Sequence, residues 1–317
     1  SFWATVVFVY YVLATLLPID KIIGKIYPIF AIALIFMAAG ILFMIFWHHP
    51  ALPELTDGIA NTHPDGLPIF PMMFISIACG AISGFHATQS PLMARCMTNE
   101  KYGRPVFYGA MITEGIVALI WAAAATYFFH TEEGSALFAA GSGNDNAAVI
   151  VDSITKEWLG VVGGFLAILG VIAAPITSGD TAFRSARLIV ADFLRVDQKP
   201  ILKRLMISVP LFVAGYIILH ANFSVLWRYF AWCNQTLAVF TLWALTVYLT
   251  QKRKPYVITL IPALFMTAVC STYILIAREG LHLPQELAYW LGGAVTLFIF
   301  VLFLVWRNKY LRRNPTI

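Results

Sequence analysis

Cys79-Gly80-Ala81-Ile82-Ser83-Gly84-Phe85-His86-Ala87-Thr88-Gln89-Ser90-Pro91 closes an apolar run that starts at Ile69. An apolar run of this length reads as a membrane helix. Two glycines, a proline and five polar side chains then stand where apolar residues should continue. Pro91 removes a backbone N–H and disfavours helix at Ser90. The stretch predicts a helix broken within the membrane and restarting near Pro91. Backbone groups freed by such a break are tolerated only where they face protein or a watery cavity. A second stretch, Ile172-Ala173-Ala174-Pro175-Ile176-Thr177-Ser178-Gly179-Asp180-Thr181-Ala182-Phe183-Arg184, has the same character. Pro175 and Gly179 bracket two hydroxyls, and Asp180 has Arg184 four residues on, placed for an ion pair. A carboxylate at membrane depth is costly and normally paired. A simple Pro/Gly kink explains either stretch taken alone. Two together point to a secondary transporter, which builds midplane ion and substrate sites from interrupted helices.

Composition agrees. Of 317 residues, 60% are hydrophobic and only 12% charged, with mean hydropathy +0.79. That leaves too little polar surface for a soluble domain and excludes intrinsic disorder. Four cysteines are too sparse for a disulfide scaffold. Nine apolar stretches are expected to span: Phe2–Leu17, Ile29–Phe46, Ile69–Ala87, Val106–Phe129, Leu159–Ile176, Ile201–Leu219, Val225–Leu249, Tyr256–Ile276 and Leu287–Trp306. Eighteen of the 21 basic residues fall in alternate loops, leaving Lys156, Arg228 and Arg278 on the other side. By the positive-inside rule this puts the C-terminus in the cytoplasm. The net charge of +5 thus reflects topology, and no nucleic-acid partner is expected. Residues 1–317 are read as one transmembrane domain. Residues 130–158 are read as an outer loop in which Val149, Ile150, Ile154 and Trp158 recur at helical spacing. They form an amphipathic helix, either a gate-like cap or a plain interfacial helix. Because Ser1 already lies inside an apolar run, a piece of a longer protein is expected, cut on its N-terminal side.

The stretch Ser83-Gly84-Phe85-His86-Ala87-Thr88-Gln89-Ser90-Pro91-Leu92-Met93-Ala94-Arg95-Cys96 resembles a signature of the carbon starvation (CstA) family of bacterial inner-membrane transporters. Asn99 to Arg104, Phe107 to Ile112, Glu114 to Ala123 and Gly179 to Arg187 continue the likeness, which is densest over residues 76–195. The resemblance implies uptake of peptides or of pyruvate when carbon runs short. It also implies a partner segment, the N-terminal half of the same protein. A second likeness concerns fold. An interrupted span, an intact one, a surface helix and then Thr177-Ser178-Gly179-Asp180-Thr181 follow the order of the sixth to eighth core helices of LeuT-type transporters. The fold class expected is therefore all-α integral membrane, with about nine helices, two of them broken. A LeuT-like inverted-repeat core is expected, its first half missing.

The candidate site residues follow from both breaks. Thr177, Ser178 and Thr181 offer hydroxyl oxygens to a hard cation such as Na⁺. Asp180 or His86 offers a proton carrier instead, so the coupling ion is H⁺ or Na⁺. No other cofactor is expected. Back-bonding to a carbonyl one turn earlier is the plain alternative for the hydroxyls. His86, Thr88, Gln89 and Ser90 are expected to bind substrate, with the positive end of the restarting helix near Pro91 favouring an anion. The solute is expected between the two breaks. Glu114, inside the span Val106–Phe129, is a further coupling candidate. Trp227, Arg228, Trp232, Asn234 and Gln235 are read as packing. The chain carries no metalloprotease, nucleophile-elbow or phosphate-loop motif, so no enzyme is expected. A membrane-embedded nutrient sensor is the alternative to a carrier.

Overall fold

The computed structural model describes residues 5–11, 20–52, 54, 61, 66–139, 147–167, 169–170, 174–219 and 223–314. Among them there is no strand. The helices are α1 (residues 5–11), α2 (Asp20–His48), α3 (Ile69–Ile77), α4 (Phe85–Cys96), α5 (Ala110–Phe129) and α6 (Glu132–Ala139). They continue with α7 (Ala147–Ala167), α8 (Ala174–Phe193), α9 (Ile201–Leu219), α10 (Phe223–Gln251), α11 (Val257–Ile276) and α12 (Gln285–Arg313). Seven stretches are long and apolar enough to cross a membrane: Pro28–His48, Ile69–Pro91, Glu100–Phe129, Ile201–Ile218, Val225–Gln251, Val257–Ile276 and Gln285–Arg313. A lipid phase cannot satisfy backbone polar groups, so the spans are helical over most of their length. The expected span Phe2–Leu17 lies largely outside the described residues. The expected span Leu159–Ile176 lies partly outside the described residues; within it Gly160 takes φ +61°, a kink inside α7.

The described chain forms two compact units. The first comprises residues 1–53 and 113–224, the second residues 54–112 and 225–317. In the first, Met37, Ala38 and Ile41 of α2 meet Ile120, Ala124 and Phe128 of α5 and Ile154 and Trp158 of α7. On each helix these residues recur every three or four positions, so one stripe is buried. The amphipathic spacing at Ile150, Ile154 and Trp158 is therefore a protein contact. Ile154 is only 1% exposed, and the Trp158 ring lies 5.4 Å from Tyr127. In the same unit Phe8 and Tyr11 of α1, Phe183 of α8, and Phe212 and Tyr216 of α9 form a ring cluster, with centroids 4.8–6.1 Å apart.

The second unit is built around α11. Met266, Val269, Cys270, Tyr273 and Ala277 pack on Ile75 and Ala78. Its other neighbour is α12, where Ala288 and Gly292 are spaced one turn apart and buried. A Cβ at Gly292 would lie 3.1 Å from Thr272 Cβ, so only glycine lets these helices meet this closely. At the α11–α12 turn, Glu279 is nearly buried. It accepts from Tyr273 Oη (2.7 Å) and Arg228 Nε (3.1 Å), and Tyr229 Oη donates to its backbone carbonyl. Arg228 is thus part of a polar pin between α10 and the α11–α12 turn.

Candidate functional site

The break in the Ile69–Pro91 span is real, but it falls earlier than expected. Helix α3 stops at Ile77, a 3-10 turn covers Ala78–Gly80, and α4 starts at Phe85. Ala81 N and Ile82 N both fold back on Ala78 O, which ends the regular ladder. Pro91 lies inside α4. It forfeits one backbone hydrogen bond without ending the helix.

Helix α10 supplies what the broken backbone lacks. Asn234, 1% exposed, accepts at Oδ1 from Phe85 N (2.9 Å) and from Ser83 Oγ (3.3 Å). Its Nδ2 donates to Cys79 Sγ at 3.3 Å. Gln235 is fully buried. With its carboxamide turned so that donors meet acceptors, its nitrogen donates to Ile82 O (2.7 Å) and its oxygen accepts from Cys79 N (3.1 Å). Two neighbouring carboxamides therefore clamp both edges of the break. Gly84 makes the approach feasible. A Cβ there would fall on the Asn234 carbonyl oxygen and within 2.8 Å of Ala238 N and Leu237 Cβ. The sequence alone assigns this pair to packing. Its signal was two adjacent amides in an otherwise apolar span, where a buried polar group needs a partner.

The restart places the predicted substrate residues in the first two turns of α4. At about 100° per residue, His86, Gln89 and Ser90 share one side, and all three are partly buried. Thr88 points elsewhere and donates to Phe85 O at 2.8 Å, the plain back-bonded role. The positive helix end expected near Pro91 is instead at Phe85. Its leading N–H is already taken by Asn234.

Glu114 lies within a helix longer than expected. Helical structure runs unbroken from Glu100 to Phe129, putting Glu114 at its middle. Asn99 caps the start by accepting from Lys101 N at 3.0 Å. A π-helical turn, Arg104–Gly109, precedes α5, and such widened turns recur at functional sites.

The second expected break is not found where it was expected: α8 is continuous from Ala174 to Phe193, through Pro175 and Gly179. The backbone of Thr177, Ser178, Asp180 and Thr181 lies within α8, and their side chains lie outside the described residues. Gly179, between them, has the Tyr11 ring against it, since an ideal Cβ would come within 2.7 Å of Tyr11 Cζ. The substrate candidates therefore belong to the second unit. Glu114 and the α8 residues belong to the first. Among the described residues no group of three His, Cys, Asp or Glu is placed to hold a metal ion.

Known proteins bear on this arrangement. The family described as carbon starvation protein CstA matches over residues 1–156 and 128–273. An uncharacterized membrane protein of Haemophilus influenzae is 43% identical over 148 residues, covering 41% of this chain and 40% of that protein. The pyruvate/proton symporter BtsT of Escherichia coli is 41% identical over 78 residues, 24% of this chain and 11% of the symporter. The peptide transporter CstA of Bacillus subtilis is 26% identical over 281 residues, 74% of this chain and 47% of the transporter. The chain thus spans less than half the length of each of these three relatives. No solved structure matches it. With the family match running across both units and through the clamped break, this chain belongs to the carbon starvation CstA family.

Proposed function

We propose that this chain forms part of a secondary-active transporter that takes up a small carboxylate, pyruvate or a short peptide, together with H⁺ or Na⁺ by alternating access. The observation that carries this reading is the interrupted span α3–α4. It is held open by Asn234 and Gln235 and presents His86, Gln89 and Ser90 on one side of the restarted helix. An interruption clamped by protein amides keeps unwound backbone stable at membrane depth, as a midplane site requires. Relatives named as a pyruvate/proton symporter and a peptide transporter support the substrate class, since both solutes carry a carboxylate. In this reading His86 and Gln89 hold the carboxylate through side-chain donors, because Phe85 N already serves Asn234. Glu114, Thr177, Ser178, Asp180 and Thr181 carry the coupling ion. The order of the elements, α3–α4 broken, α5 intact, then α6, α7 and α8, supports a LeuT-type core.

The test is uptake by the full chain in proteoliposomes, with labelled pyruvate and a labelled dipeptide each offered under a H⁺ gradient and then a Na⁺ gradient. One solute should accumulate under one gradient. His86→Ala and Gln89→Ala should each lower uptake at least tenfold, while Thr88→Val, whose hydroxyl serves its own helix, stays within twofold. No accumulation of either solute by folded protein would overturn the transport reading. Unchanged uptake in His86→Ala and Gln89→Ala would remove the site from α4.

A further inference from the structure

A cavity of about 540 Å³ opens among α10, α11 and α12 in the second unit. It runs along the helix axes. Its lining extends from Trp232 to Val247 on α10 and from Val295 to Trp306 on α12. At 1.5 Å per residue these stretches measure roughly 22 and 16 Å. One leaflet of hydrocarbon is about 15 Å deep, half of a ~30 Å core.

The wall is apolar apart from a few polar groups, most of which are engaged. Thr267 Oγ1 donates to Ala263 O (2.6 Å) and Ser271 Oγ to Thr267 O (2.6 Å). The indole N–H of Trp232 donates to Cys270 O, and that of Trp243 to Thr267 Oγ1, both at 3.0 Å. Thr236 adds one more hydroxyl, closed to solvent and without a hydrogen-bond partner. So apolar a groove offers little to a peptide or a keto acid. It also suits a transmembrane helix poorly. Helix partners seat on small residues that let backbones approach, whereas bulky rings at Trp243, Phe303 and Trp306 hold a backbone away. A flexible hydrocarbon chain fits between rings.

One end of the groove is strongly basic. Arg253 after α10 donates to Asn314 O after α12 at 2.8 Å, so the two C-terminal ends lie together. That end carries Lys252, Arg253, Lys254, Arg307, Lys309, Arg312 and Arg313, with no acidic residue in 249–257 or 304–314. Arg307 follows directly on the lining residue Trp306. Its guanidinium lies 5.1 Å from the centre of the Tyr256 ring, and that ring packs 5.8 Å from Phe303 in the groove. Arg307 Nε is closed to solvent and has no hydrogen-bond acceptor. Arg307 as a whole is half-buried, and a guanidinium next to the end of a hydrocarbon slot attracts an anion.

We propose that this groove is a binding site for one anionic phospholipid, its acyl chain between α10 and α12 and its phosphate at Arg307. Basic clusters beside membrane helices attract anionic headgroups generally. The groove and the unpartnered Nε convert that general attraction into a defined seat.

Full chain is purified, stripped of lipid, and offered phosphatidylglycerol or phosphatidylcholine. Retained lipid is then counted by native mass spectrometry. About one phosphatidylglycerol per chain should be retained in preference to phosphatidylcholine. Arg307→Gln should weaken retention about fivefold, the share of one basic side chain near the surface. Val295→Trp, which fills the slot, should bring it to background. In parallel, a photoactivatable probe on Val295→Cys, in a chain with Cys79, Cys96 and Cys233 changed to serine, should capture lipid. Equal retention of the two lipids, or undiminished phosphatidylglycerol in folded Val295→Trp, would overturn the proposal. Capture of protein in place of lipid by the probe, whether another part of the chain or a second copy, would overturn it too.

Discussion

Replacing Asn234 by leucine removes one side of the clamp while keeping its volume. Phe85 N–H loses its part-buried 2.9 Å acceptor, which costs about 1–3 kcal/mol if no other partner replaces it. The Ser83 hydroxyl, 3.3 Å from the same oxygen, can rotate to another acceptor, and the Cys79 thiol is a weak partner. Gln235 still holds Ile82 O and Cys79 N. The net loss is therefore a local one of about 2 kcal/mol, or roughly 30-fold in the equilibrium for opening the break. Cys79 is a built-in reporter, half-buried beside the amide. In a chain with Cys96→Ser and Cys233→Ser, the remaining Cys270 is only 6% exposed. Maleimide labelling of Cys79 should then quicken about 30-fold in Asn234→Leu. Thr241→Val on the same helix should leave it unchanged, because that hydroxyl donates to Leu237 O of its own helix. Labelling within threefold of the parent, at unchanged helix content, would refute the clamp.

Gly84→Ala should destabilise the folded protein by about 1–3 kcal/mol through overpacking against α10, read as a lower unfolding midpoint in mixed detergent. Gly115→Ala, with no atom within 4 Å of the new Cβ, should be neutral or up to about 1 kcal/mol stabilising in the same assay. Glu279→Gln should cost about 1 kcal/mol, since half-exposed Arg228 limits the ion pair while the Tyr273 hydrogen bond survives in weakened form. Glu279→Ala, which also orphans the Tyr273 hydroxyl, should cost more, and equal thermal midpoints for the two would contradict the pin. Gly179→Val should dislodge Tyr11, and adding Tyr11→Ala should restore part of the loss. A double-mutant cycle with no coupling would deny that contact.

Much of the site could be read directly, and the rest shows what kind of information was missing. Gly80, Gly84 and the five polar side chains after Cys79 announced an interruption, because no apolar helix tolerates that cluster without a reason. The restart was misjudged because proline is the most conspicuous breaker in the string. A proline inside a helix forfeits one bond, and α4 absorbs it. At α8 the backbone is helical from Ala174 through Gly179, so the break expected at Pro175 to Gly179 is not found there. Thr88 turned out to bond its own helix, whereas His86, Gln89 and Ser90 were brought to one side by the 100° step from Phe85.

Hydropathy alone determined that the chain is helical and placed all seven of the spans found among the described residues. That follows because lipid leaves a backbone no option but to satisfy itself within the segment. The same local logic located the interruption between Ile77 and Phe85 to within a few residues. Only the tertiary structure decided what the interruption is attached to. The acceptor for Phe85 N comes from Asn234, 149 residues away, and the room for it comes from a missing Cβ at Gly84. It likewise decided that the Ile154 and Trp158 stripe faces α2 and α5, and that the basic C-terminal ends of α10 and α12 close one end of an apolar groove. Periodicity reports which side of a helix is apolar. It holds no record of which distant helix supplies the partner, because that choice is made by packing.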